Sequence, residues 1–172
     1  KPGARAAPRH PRPVPDGAAQ RQARAAILLA ICAHHPTLLP EVEEPLALLD
    51  FPEGPLRAAR DAILAWLPVA PRLDSGELIA HLAESGISVE FVRKPELPPG
   101  ARPGATPAEA LEAFWQIFGF LRGDMDLLED IRMASDEFNA GGNPAAAQRL
   151  VRLKAALDAL RRGEPGDDEG GA

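Results

Sequence analysis

Few side chains in this 172-residue sequence could do chemistry, and their spacing limits what that chemistry would be. Cys32 and His35 stand three residues apart, so on a helix they share a face, as a metal pair or a thiol–imidazole couple requires. His34 and His81 add two more imidazoles. The residues favour a plainer reading: a structural cysteine, and a histidine that ends a helix, where imidazole interacts well with the macrodipole. The run Asp124, Asp126, Glu129, Asp130 places carboxylates on neighbouring turns, as a divalent ion would need. No matching acidic helix of the di-metal type accompanies it, so a solvated face is expected. Ser75, Ser85, Ser88 and Ser135 are the only serines, and none lies in a nucleophile-elbow context. No phosphate-cradling glycine loop occurs. The expectation is therefore no catalytic residue, no metal ligand and no cofactor in this chain. The enzymatic alternative, using His34, His35 and Asp126 or Glu129, scatters its groups over several helices with no pocket motif.

Composition narrows the class. Alanine supplies 32 residues and leucine 22, against 6 Val, 7 Ile, 2 Thr and no Tyr, which favours an all-α fold over a sandwich or barrel. A single cysteine excludes an internal disulfide and a cysteine-clustered zinc site, which fits a reducing, cytoplasmic setting. The net charge of −6 removes any global electrostatic footprint for nucleic acid. The longest apolar run, Ala25 to Ala33, falls well short of the ~20 residues that span a bilayer. The basic start is followed by prolines rather than an apolar signal segment. Lys1 in place of Met reads as the start of a piece of a longer polypeptide.

These residues must be positioned by a series of helices. Residues 1–19 carry five prolines with Lys1, Arg5, Arg9 and Arg12, and are expected to be a disordered linker. A helix apolar nearly all round runs from about Gln20 to His35 and is stopped by Pro36. Residues 37–49 form one short helix or two, with Leu38, Leu39, Val42, Leu46 and Leu49 on one face. Pro55 opens a helix to Leu67. Asp74 and Glu77 start another, which Gly86 closes. Ile87 to Val92 is a candidate extended segment, and the proline-rich stretch 94–107 a mobile loop. Thr106, Pro107 and Glu109 form the start signal of a long helix.

That helix is expected over 107–138, roughly 48 Å long, with a terminal helix over 144–162 of roughly 28 Å. Its first half carries a broad apolar face from Leu111 to Leu121. Beyond Gly123 the stripe narrows to Leu127, Ile131, Ala134 and Phe138, answered by Leu150, Leu153, Leu157 and Leu160 on the terminal helix. The expected architecture is a helical bundle over 20–121, an antiparallel helical hairpin over 122–162, and a disordered acidic tail over 163–172. The hairpin either projects from the bundle or folds back as two more bundle helices, with Gly119 and Gly123 near the junction. The basic residues Arg149, Arg152, Lys154, Arg161 and Arg162 either pair with the acidic helix or face a partner.

The segment from Ala25 to Leu39 (AAILLAICAHHPTLL) resembles the opening helix of the C-terminal domain of bacterial DNA primase. Residues 41–49, 56–67, 73–86, 110–131 and 149–160 resemble the following helices of that family, in order. The resemblance spans about residues 20–162. It implies a bundle followed by a helical hairpin, acting as a helicase-binding module. The partner implied is the N-terminal domains of the hexameric replicative helicase, at the bacterial replication fork. Zinc and magnesium would belong only to upstream domains of the parent, a primase. The insert 94–107 is longer than the family pattern. The related N-terminal domain of the helicase itself is an alternative, disfavoured because that copy precedes a P-loop domain. The candidate contact residues are Arg149, Leu150, Arg152, Leu153, Leu157, Leu160 and Arg161.

Overall fold

The computed structural model describes residues 17–93 and 96–162, and the calls on residues 1–16 and 163–172 lie outside them. The described residues form seven α-helices joined by short 3-10 turns, with no strand among them. The helices are α1 (Gly17–His34), α2 (Leu39–Leu48), α3 (Pro55–Trp66), α4 (Ser75–Glu84), α5 (Pro107–Arg122), α6 (Asp124–Gly141) and α7 (Pro144–Arg162). The all-α expectation holds. The first helix starts earlier than expected, at Gly17, so residues 17–19 are helical rather than linker.

α1 is the core of the bundle. Leu28, Leu29, Ala30, Ile31 and Ala33 are fully buried, because the helix has almost no polar face to offer water. It packs against α5, α3, α4 and the turns at 90–93 and 99–101. Pro36 ends it, and residues 36–48 leave at 93° to its axis. Pro40 sits in the first turn of α2, where a missing N–H costs nothing, while Pro45 lies inside the helix. Asp74 caps α4 by accepting from the Glu77 N–H at 3.0 Å. Thr106 and Glu109 form a complete capping box on α5.

Three expectations are corrected. The single helix over 107–138 is two helices, because Gly123 breaks it at φ +86° and caps α5 through its N–H to the Gly119 carbonyl. The segment 87–92 is not extended; it tightens into a 3-10 turn at Glu90–Arg93. The stretch 94–107 is not a loose loop over its described residues: Leu97 and Ala101 enter the core, and the turn Pro99–Ala101 lies against α5 and α1. Proline there restricts the backbone instead of freeing it.

α6 and α7, joined at Gly142 and Asn143, pair with each other, and α7 also packs along α5. The position of a Cβ on Gly119 lies 3.0 Å from the Ala156 carbonyl oxygen, so α5 and α7 approach backbone to backbone. The terminal helix is thus part of the packed body. Leu127, Ala134, Leu153, Ala156 and Leu157 join the same buried cluster as α1.

Candidate functional site

The soft ligands and nucleophiles are absorbed by packing. Cys32 is fully buried, and burial pushes its thiol up to about 12, so it stays protonated and unreactive. His34 Nε2 lies 3.0 Å from the Val92 carbonyl oxygen and His35 Nε2 2.9 Å from that of Arg102. Each ring nitrogen donates there, since a carbonyl only accepts. The two histidines therefore pin the irregular segments 89–93 and 97–105 to the end of α1. Ser75 Oγ donates to the Ala33 carbonyl at 2.7 Å, satisfying an orphan acceptor of the last turn of α1. Burial holds the His34 imidazole below its ordinary pKa; the Val92 bond opposes this in part, and neighbouring His35 lowers it further.

Within the acidic run, Asp126, Glu129 and Asp130 are taken up by arginines. Arg122, at the end of α5, forms a two-point pair with Asp130 of α6 at 2.7 and 2.8 Å and lies 3.6 Å from Asp126. This pair spans the break at Gly123. Arg132 pairs with Glu129 and Asp136 on its own helix. Among the described residues no three His, Cys, Asp or Glu side chains are grouped to hold a metal ion. Nor is any single helix there long and apolar enough to cross a membrane.

The candidate contact residues on α7 divide by burial. Leu153 and Leu157 are buried and Leu150 and Leu160 are half-buried against the core, so all four close the packing with α5 and α6. Arg161 is exposed; Arg149 and Arg152 are partly exposed and line a trough. Arg149 reaches Glu137 of α6 at 3.4 Å, and its other bond goes to Glu44 of α2, 105 residues away.

That Glu44–Arg149 bridge crosses a trough on the surface of the described residues. The trough lies between α2 on one side and α6 and α7 on the other, with Trp115 of α5 as its floor. One compartment, about 610 Å³, is walled by Pro40, Glu41, Glu43, Asn143, Gln148 and Arg152. The other, about 330 Å³, is walled by Leu48, Phe118, Arg122, Asp130, Met133 and Leu153. Trp115 meets Phe114 and Phe118 edge-on at 5.7 and 5.2 Å, which fixes the indole in place. The arrangement offers shape, apolar surface and charge, without a nucleophile or a poised acid–base pair.

Sequence reasoning missed Glu41, Glu43, Glu44, Leu48 and Met133 as site residues. Each looks like an ordinary surface position along its own helix. The available signals were Leu48 and Met133, each an apolar residue one position off the expected seam of its helix. No protein-family model, curated protein or solved structure matches this chain.

Proposed function

We propose that this chain is the helicase-binding module of a bacterial DNA primase. In this reading it docks on the N-terminal domains of the replicative helicase hexamer and brings primer synthesis to the fork. The chain recruits, and the polymerising chemistry resides elsewhere in the parent polypeptide. Zinc and magnesium would serve those other domains.

The observation that carries the reading is the disposition of α7. Its inner side is spent on packing, while Val151, Lys154, Asp158, Arg161 and Arg162 form an exposed stripe at helical spacing. A solvent-facing helix edge of mixed charge next to a walled trough suits protein recognition, where charge sets orientation and encounter rate. The order of helix-like segments shared with the primase family supports the same conclusion. The titratable groups add support, since those nearest to chemistry, Cys32, His34 and His35, are used to hold the fold.

Co-sedimentation of the chain with the cognate helicase hexamer tests this reading. Association at micromolar concentration is expected, together with weaker binding by Arg161→Glu and Lys154→Glu. Absence of association with a folded chain would sink it. Truncating the chain at residue 140 is a poor test, because it would strip Leu153, Ala156 and Leu157 from the core.

A further inference from the structure

Trp115 is only 5% exposed, and its indole Nε1 is buried with no acceptor. Trp115 lines both compartments of the trough. Over the smaller compartment stand two large apolar side chains left more than half exposed in the free chain, Leu48 at 52% and Met133 at 59%. They come from opposite walls, α2 and α6. The ends are polar: the Arg122–Asp130 pair bounds the smaller compartment, and the Glu44–Arg149–Glu137 bridge stands between the two.

Charge separates the walls as well. Glu41, Glu43, Glu44 and Glu137 face Arg149 and Arg152 in the larger compartment, four carboxylates against two guanidinium groups. Glu44 and Glu137 are taken by Arg149, whereas the exposed Glu41 and Glu43 form no ion pair among the described residues. An occupant with a cationic flank meets this rim favourably, and an acidic one is repelled. The described residues present no strand edge to which a partner strand could add, and an apolar trough between helices suits the helix-in-groove mode.

We propose that the trough seats an amphipathic helix of the partner. One apolar side chain of that helix fills the compartment between Leu48 and Met133, and Lys or Arg on its flank faces Glu41 and Glu43. The inference rests on the helicase-binding reading and assigns the surface through which the binding occurs. It places the energetic centre on α2, α5 and α6, beside the exposed stripe of α7. Central apolar anchors in a desolvated pocket are the usual seat of binding energy.

The test is equilibrium binding of the intact chain to the cognate helicase hexamer, with circular dichroism confirming that each variant keeps its helical content. Leu48→Glu and Met133→Glu alter exposed side chains and are expected to weaken binding at least about tenfold, whereas Met133→Leu stays close to wild type. The double variant Glu41→Lys/Glu43→Lys is expected to weaken binding and flatten its salt dependence. Val69→Glu, on a 74% exposed residue beyond α3, is the control expected to bind like the parent. If the parent binds and Leu48→Glu and Met133→Glu bind equally well, the trough is not the seat, and the helicase-binding reading survives. If the parent does not bind at all, that reading fails and this inference goes with it.

Discussion

Gly119 of α5 faces Ala156 of α7 so closely that a Cβ on the glycine would sit 3.0 Å from the alanine carbonyl oxygen and 3.3 Å from its Cβ. This approach joins the terminal helix to the body of the molecule. Gly119→Leu is expected to push the helices apart and to cost about 2 kcal/mol or more, typical of overpacking. Gly119→Ala should be mild, because a helix-propensity gain of up to about 1 kcal/mol offsets the crowding. Urea denaturation of both variants measures the difference. Equal stabilities would mean that α7 does not press on α5.

The break between α5 and α6 is held from two sides. Gly123 adopts φ +86° and ψ 162°, a region all but closed to other residues, and Arg122 grips Asp130 across the break. Gly123→Ala is expected to cost roughly 1–3 kcal/mol as strain. Asp130→Asn removes a charge-assisted contact worth about 1.5 kcal/mol at a largely buried position. Thermal melts of each single variant and the pair would show whether the two costs add, and a shortfall in the pair would reveal coupling.

His35 holds the proline-rich connection to the core. Its ring donates to the Arg102 carbonyl at 2.9 Å, and the residue is 7% exposed. His35→Phe keeps the bulk but orphans that carbonyl, for an expected loss of about 1–3 kcal/mol. Hydrogen exchange should accelerate over residues 97–105 before it does in α3. An unchanged exchange pattern there would count against the pinning role.

His34 confers a pH dependence. Burial holds its pKa below the unfolded value of about 6.5, so the unfolded chain binds the proton more readily. Its contribution is complete above pH ~6.5 and is lost as pH falls from there through the lower folded value. His34→Gln retains a donor for the Val92 carbonyl and removes the titration. The variant is expected to show a smaller fall in melting temperature between neutral and mildly acid pH. A parallel fall in both proteins would assign the acid sensitivity to other groups.

Much of the helical architecture is legible in the residues themselves. Asp74 and Thr106 mark their helix starts because capping is a local transaction between a side chain and an N–H three residues on. The all-apolar helix before Pro36 is central because it has no face that tolerates water. The break at Gly123 was less legible, since the flanking residues are good helix formers and a lone glycine is often carried within a helix. The break is bridged by a contact between residues eight apart, Arg122 to Asp130.

The sequence by itself determined the class of fold, the helix starts and the buried stripes, all of which arise from interactions within a few residues along the chain. Only the tertiary structure decided that α7 lies on α5, that Cys32, His34 and His35 serve packing, and that Glu44 meets Arg149 across 105 residues. It also decided that Leu48 and Met133 stand on facing walls above Trp115. The physical reason is that helical periodicity says which face of a helix avoids water, while the partner of that face is chosen by how all the helices fill space together.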